Sequence, residues 1–404
     1  MGFFAVYEYY RGDTQHYRDL IRAETNVIRQ KLHHAHVQQP GASFDSPLLI
    51  FTCNRPQYLT ETLDHIYDSL KDCTLVGCPI IISEDGDHDN IEAVVQTYHS
   101  KFALRGVPVI HIHHPQITAP HSGHLRQPDP NFAYKALAQH YGWALGQVFD
   151  GNVFHPHDDS SEQFLPQRVI ILEEDIKVAP DFFSYMAATA PLLDHDPTLY
   201  AVSAFNDNGH LVKDDSTRLL RSDFFPGLGW MMTRSLWMNE FQTKWPSGFW
   251  DDWIRDPQQR KKRQVIRPEV SRTYHFGRKG GASANQFGSI LEMVKLNQHN
   301  IDWQSQNLSY LQSHLYEEQY LAMVNESRLA STLEEAQGLL QKGSSNVRLE
   351  YIDYKGFKAL AKRLRIMDDE KAMVPRTAYK GIVEVRPHGD GILFLTPQSG
   401  NPFY

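Results

Sequence analysis

Four consecutive apolar residues, Val169, Ile170, Ile171 and Leu172, run without alternation into three carboxylates, Glu173, Glu174 and Asp175. A half-exposed strand alternates apolar and polar side chains, so a mostly β-branched run of this kind reads as a strand covered on both faces. Strands covered in this way belong to parallel sheets sandwiched between helices, and ligands of open α/β sheets collect at their carboxyl ends. The acidic ending then has two readings. It is either a divalent-cation site or the solvated start of a loop.

The flanking pattern extends the same architecture. Short apolar runs at residues 48–52, 79–83 and 107–113 alternate with helical patterns at 59–70 and 91–98, and a longer helix over 132–149 precedes the acidic strand. This βαβα rhythm predicts an α/β fold with a mostly parallel, doubly wound sheet. Beyond residues 199–205 the chain turns rich in Gly, Pro and Trp, through 223–230 and 249–253, which means a shaped pocket or a tight corner. Residues 278–283 form a basic loop in which Gly280 and Gly281 permit unusual backbone angles. Two helical patterns then lead to strands at 348–352, 381–385 and 392–395, with a helix near 357–364. We expect residues 1–45 to form an N-terminal arm, 46–290 the main domain, and 291–404 a smaller α+β domain.

Composition removes several functions. A net charge of −8, with one short basic run at residues 260–263, argues against a nucleic-acid partner. Three cysteines, Cys53, Cys73 and Cys78, do not make a zinc site or a disulfide framework, although a Cys73–Cys78 bridge stays open. No stretch approaches the roughly 20 apolar residues of a membrane span. Asn307-Leu-Ser and Asn325-Glu-Ser fit the glycosylation pattern, either by chance or because the chain is luminal.

Without a phosphate-binding loop, an acidic strand end suits a cation that clamps a diphosphate. Asp175 sits at the strand's exit and is the best-placed ligand, with Glu173 and Glu174 alternating just inside. In Trp250-Asp251-Asp252-Trp253, two carboxylates lie among indoles. Desolvation there would make a general base, whereas an Asp at the N-cap or in the first turn of a helix would satisfy free backbone N–H groups. Arg55 and Asp85 follow the first two strands and share the edge with Asp175, though turn chemistry explains Asp85-Gly86 equally well. His140 and Tyr141 fall inside the long helix, where a lone His is more often core or surface than ligand.

On these residues the chain resembles a known family. Glu173-Glu-Asp-Ile-Lys-Val-Ala-Pro-Asp-Phe-Phe183, Val202-Ser-Ala-Phe-Asn-Asp-Asn-Gly209, Asp223-Phe-Phe-Pro-Gly-Leu-Gly-Trp230, Lys244-Trp-Pro246, Phe249-Trp-Asp-Asp-Trp253, Ile266-Arg-Pro-Glu-Val-Ser-Arg272 and Val374-Pro-Arg-Thr-Ala-Tyr-Lys-Gly-Ile382 are similar, in order, to the N-acetylglucosaminyltransferase I family. The resemblance implies a GT-A fold and an inverting enzyme. Such an enzyme passes N-acetylglucosamine from UDP-N-acetylglucosamine to the α1,3-linked mannose of a high-mannose N-glycan, making a β1,2 linkage. Carried onto this chain, Asp175 would bind Mn²⁺, and Asp251 would be the base. Glu173 and Glu174 would lie near the ribose and the metal's waters. Arg55, Asp85, His140 and Ser283 would contact the nucleotide, while Leu228 and Trp250 shape the acetylated sugar's pocket. A Golgi lumen location follows from the same resemblance, with membrane attachment only through an anchor that this sequence does not contain.

The chain departs from the family in particular places. Its middle acid is Glu174 where an Asp is usual, Cys53 lacks a partner after Asp85, and Ala201 and Val265 stand where a cysteine pair is expected. Core packing must replace those bridges. The Gly-Gly-Ala-Ser loop is one residue longer than the family's. Two rival readings share the fold: a β1,2-N-acetylglucosaminyltransferase acting on O-linked mannose of proteins, and a catalytically silent glycan-binding protein.

Overall fold

A computed structural model describes residues 46–70, 79–115, 131–154, 165–213, 215–278, 288–343, 346–387 and 391–398. The N-terminal arm, Cys73, Cys78 and the loop carrying Ser283 lie outside these residues. Among the described residues, no helix is long and apolar enough to cross a membrane.

Strands β1 (Leu48–Thr52), β2 (Ile80–Asp85), β3 (Val109–His114) and β4 (Arg168–Glu173) lie parallel in the order β3-β2-β1-β4. Helices α1 (Pro56–Ser69) and α2 (Asp89–Ala103) connect the first three, and α3 (Phe132–Phe149) precedes the fourth. Pro56 opens α1, where its missing N–H costs nothing, and Leu59, Leu63 and Ile66 fall on one buried face. The strand that opened the sequence argument is covered on both sides, as its unbroken apolar run requires. Ile170 and Leu172 pack with α1 and α2, while Val169 and Ile171 pack with α3. Each such burial contributes at most about 1.5–3 kcal/mol.

On the far side of β4 the sheet changes character. β8 (Trp230–Thr233) pairs antiparallel with β4 and with β6 (Leu199–Ser203), and β9 (Gln264–Pro268) and β7 (Leu219–Ser222) complete an eight-stranded sheet. The mostly parallel expectation holds for the edge that collects the candidate site. β7 and β8 escape a sequence reading because each is four residues long and borders Gly- and Pro-rich turns. Ala201 lies opposite Val265 in the β6–β9 pair, and both are fully buried, so packing fills the place of the expected cysteines.

Beyond β4, the three-residue strand β5 (Ile176–Val178) pairs antiparallel with β10 (Thr273–His275), and α4 (Phe182–His195) packs back on the sheet. Buried Asp181, just before α4, accepts from Arg272 Nε at 3.2 Å, Trp303 Nε1 at 2.8 Å and Asn297 Nδ2 at 2.8 Å. Two residues of the family-like segments, Asp181 and Arg272, are thereby structural. Helix α5 (Trp250–Arg255) carries the Asp-Asp pair.

A second sheet has the order β11-β12-β16-β15, made of β11 (Arg328–Ala330), β12 (Asn346–Tyr351), β15 (Val383–Val385) and β16 (Ile392–Pro397), with the short pair β13 (Glu370–Lys371) and β14 (Val374–Pro375) beside it. Helices α7 (Leu333–Gln341) and α8 (Tyr354–Leu364) pack on that sheet, whereas α6 (Ser313–Glu326) places Tyr316, Tyr320 and Val324 in the main core.

Candidate active site

The acidic edge is assembled by three backbone constraints. Glu174 N–H still donates to Phe51 at 2.9 Å, so the chain leaves β4 in register with β1. Thr62 of α1 donates its hydroxyl to the Glu174 carbonyl at 2.6 Å. The β5–β10 ribbon sets His275 opposite Ile176, and the next residue, Phe276, donates its N–H to the Asp175 carbonyl at 3.0 Å.

The three acids end in different roles. Glu174 is consumed by the protein: its carboxylate accepts from the Thr52 hydroxyl, from Arg55 Nε at 2.6 Å and from Cys53 N–H at 3.4 Å. It braces Arg55 and the end of β1 instead of facing outward, a departure from the ribose-side placement implied by the family. Asp175 is buried. Its Oδ2 lies 3.0 Å from Arg55 Nη1 and 3.6 Å from His275 Nε2, whereas Oδ1 has no hydrogen-bond partner among the described residues. Burial by itself would push the Asp175 carboxyl up, but His275 and Arg55 outweigh it and hold the group below its ordinary value. Glu173 accepts from the Tyr141 hydroxyl at 2.8 Å. Burial, then the neighbouring Asp175 charge, push its carboxyl up to about 7. The pair's negative charge therefore rests first on Asp175.

This donor set fits an oxygen-preferring divalent cation. Such ions commonly take one or two protein carboxylates and leave the remaining positions to phosphate and water. A buried carboxylate oxygen without a partner is otherwise costly, and Asp175 Oδ1 is such an atom. Gly277 guards the same carboxylate, because a Cβ there would stand 2.2 Å from Asp175 Oδ2. Gly277→Ala is expected to weaken divalent-cation binding at Asp175 by at least about tenfold, the lower end of what changes just outside a metal site cost. Calorimetric titration with Mn²⁺ checks this, and an unchanged affinity would mean that the carboxylate does not need its present position.

Along the edge, Asp85 pairs with His114 Nδ1 at 2.7 Å, and His114 stacks on His140 with ring centres 5.1 Å apart. His140 is buried, with its Nε2 2.8 Å from the Ser83 hydroxyl. Burial lowers its pKa to about 3, so the ring is neutral at any working pH. Cys53 is a free thiol that donates to the Asp85 carbonyl at 3.6 Å, and burial, followed by the Asp85 charge, pushes it up to about 11.

Tyr141 joins the acidic edge to the Asp-Asp helix. Its ring is stacked between Phe51 at 3.7 Å and Trp250 at 4.4 Å, and Trp250 stacks in turn on Trp230 at 5.8 Å. Burial, followed by the charge of Glu173, raises the Tyr141 hydroxyl far above its ordinary value, with Asp175 and Asp251 adding to the effect. All three carboxylates thus act on one phenol.

The Asp-Asp pair stands at a helix start, in its first turn and not at its cap. The N-cap of α5 is Phe249, in the left-handed region at φ 50°, so neither Asp is the cap and both lie in the first helical turn. The indoles do not desolvate Asp251 either. Trp250 faces the aromatic column, Trp253 turns to Phe241 and Trp245, and the Asp251 side chain is 39% exposed. Immediate neighbours on a helix do not face one another, which is the physical reason. Buried Arg255 is what orients the pair: Nη1 donates to Asp251 Oδ2 at 2.7 Å and Asp252 Oδ1 at 3.1 Å, while Nε holds the Phe225 carbonyl at 2.9 Å. Asp252 is bound again by Lys371 of β13 at 3.0 Å, leaving Asp251 the less encumbered acid.

Leu228 lies in a turn where three successive residues, Gly227, Leu228 and Gly229, have φ of 71°, 49° and 93°. A non-glycine residue there is strained, and such strain collects at functional sites. The Thr273 hydroxyl pins the turn by donating to the Leu228 carbonyl at 2.6 Å, and a Cβ on Gly229 would meet Thr273 Cγ2 at 2.6 Å.

A mostly parallel sheet that gathers acids, an arginine and a neutral histidine at its carboxyl edge has the architecture of a nucleotide-binding α/β protein. The chain belongs to the GNT-I family, which it matches over residues 10–403. It is similar to the alpha-1,3-mannosyl-glycoprotein 2-beta-N-acetylglucosaminyltransferase of Arabidopsis thaliana, with 35% identity over 365 residues that cover 89% of this chain and 76% of that one. Among solved structures, a mannosyltransferase of Pyrobaculum calidifontis in complex with GDP-Man and Mn²⁺ is 13% identical, covering 81% of this chain and 91% of the other at a TM-score of 0.34. TarS of S. aureus in complex with UDP-GlcNAc is 11% identical, covering 60% and 61% at a TM-score of 0.38.

Proposed function

We propose that this protein transfers N-acetylglucosamine from UDP-N-acetylglucosamine to the α1,3-linked mannose of a five-mannose N-glycan, forming a β1,2 linkage with inversion. The observation that carries the reading is the buried Asp175 Oδ1, without a hydrogen-bond partner among the described residues, at the sheet edge of a GNT-I family chain. Asp175 is the residue that would hold Mn²⁺, with Glu173 beside it near the metal's waters, and the ion when bound offsets the charge of the departing diphosphate. Arg55, Asp85 and neutral His140 receive the nucleotide, joined by Ser283 from outside the described residues. Leu228, fixed by its turn, and Trp250, fixed by its stack, bound the acetylated sugar.

Asp251 accepts the proton of the mannose 2-hydroxyl as that oxygen bonds to the sugar's C1. The C1–phosphate oxygen bond breaks on the opposite face, and UDP leaves with the electron pair. Arg255 keeps Asp251 aimed throughout. The reaction belongs in the Golgi lumen, where N-glycans are remodelled. Given a five-mannose N-glycan and an O-mannosyl peptide together, the protein is expected to favour the glycan by at least about tenfold in kcat/KM, a modest discrimination for a pocket-based choice. Preference for the peptide, or binding without turnover on either, would overturn this reading.

A further inference from the structure

The opposite face of the same strands carries a second set of metal-ligating side chains. Successive residues of a strand point to opposite faces, so Asp85 turns toward His114 and its neighbour Glu84 turns toward α2. His111 and His113 of β3 share Glu84's face, with His111 in register with Ile82 and His113 with Glu84. Glu84 is fully buried, at 0% exposure. Its Oε1 accepts from His88 N–H at 2.7 Å and lies 2.8 Å from His88 Nδ1. Its Oε2 lies 3.0 Å from His111 Nε2 and 3.5 Å from His113 Nδ1.

Two details separate this cluster from an ordinary ion pair. Glu84 Oε2 and His111 Nε2 are both buried and, among the described residues, neither makes an aligned hydrogen bond, although they are only 3.0 Å apart. They converge on a point without aligning a proton between them. His111 Nδ1, on the other side of the ring, is 3.0 Å from Glu92 Oε2. A carboxylate on the far nitrogen is the usual way of orienting a metal-bound imidazole. Charge points the same way: among the described residues, buried Glu84 and Glu92 meet histidines, Gln96 and one backbone N–H, with no lysine or arginine.

We infer that Glu84, His111 and His113 bind a divalent cation of the zinc class, distinct from the one at Asp175. One ligand atom from each of the three lies within 4.8 Å of the others. Two imidazoles and one carboxylate suit zinc, whereas an all-oxygen set suits manganese. Three protein ligands leave a fourth position for water, and the His113 side chain, 40% exposed, gives the ion a way in. The bound ion ties the edge strand β3 to β2 directly behind Asp85. This inference does not rest on the proposed transfer reaction.

The competing occupant is a proton on His111. Burial lowers that imidazole's pKa, but Glu84 and Glu92 together raise it above its ordinary value. The test therefore measures metal itself. The full chain, stripped with a chelator and dialysed against zinc in the presence of excess Mn²⁺, is analysed for metal by mass spectrometry. Wild type and Asp175→Ala are each expected to retain about one zinc per chain, whereas His113→Ala and Glu84→Gln bind zinc at least about 100-fold more weakly, since each removes a ligand and not merely an outer partner. His113→Ala alters a partly exposed side chain and is expected to keep its Mn²⁺-dependent UDP binding, which reports that it is folded. Wild type without zinc would leave the proton as occupant and overturn the inference. Full zinc retention in both His113→Ala and Glu84→Gln would place the ion elsewhere and overturn it as well.

Discussion

Asp251→Asn is expected to lower kcat by about 10²- to 10⁴-fold, the usual worth of a positioned general base, and to leave UDP affinity within about threefold of wild type. The substitution preserves shape, and the amide oxygen can still accept from Arg255 Nη1, now 2.7 Å from Asp251 Oδ2. What it removes is the capacity to take a proton. A base acts only as charge moves in the transition state, so ground-state binding of the donor should not register the loss. Asp252→Asn should cost less, because Arg255 and Lys371 already hold that carboxylate. Steady-state turnover at saturating donor and acceptor checks both, and near-wild-type turnover of Asp251→Asn would require a different base.

Asp175→Ala is expected to remove the metal-dependent part of UDP binding, weakening affinity in the presence of Mn²⁺ by at least about 100-fold, beyond the range for changes outside a metal's ligand set. Arg55 would keep its pair with Glu174 at 2.6 Å, so the edge should stay folded while losing its ligand oxygen. Wild type treated with a chelator should show a similar fall in UDP affinity. An Asp175→Ala protein that still binds UDP more tightly with Mn²⁺ than without would move the metal to another residue.

Much of the parallel half of the sheet was legible in the sequence, because burial on both faces leaves an unbroken apolar run and a helix leaves its own period. Strand β1 and helix α3 occupy the residues that their patterns mark, 48–52 and 132–149. The site was less legible, because its geometry comes from pairings distant in the chain. His275 stands beside Asp175 only through a three-residue antiparallel ribbon. The role of Tyr141 depends on a stack joining β1, α3 and α5. Arg255 could have been found, since it lies four residues after Asp251 on the same helix, the spacing at which opposite charges meet. The error over the indoles has the same origin, for adjacency in sequence is not contact on a helix. The setting of Glu174 was not legible, because nothing local announces that Thr52, Cys53 and Arg55 surround it. Histidines at 111 and 113 share a strand face by simple alternation, yet only the pairing of β2 with β3 brings them to Glu84.

The central claim is a division of labour, with Asp175 holding the donor through a cation and Asp251 handling the acceptor's proton. UDP calorimetry with Mn²⁺ on the two variants tests it most directly. The account predicts that Asp251→Asn binds UDP as wild type does, within about threefold, and that Asp175→Ala loses at least about 100-fold. Equal loss in both variants, or loss confined to Asp251→Asn, would contradict it.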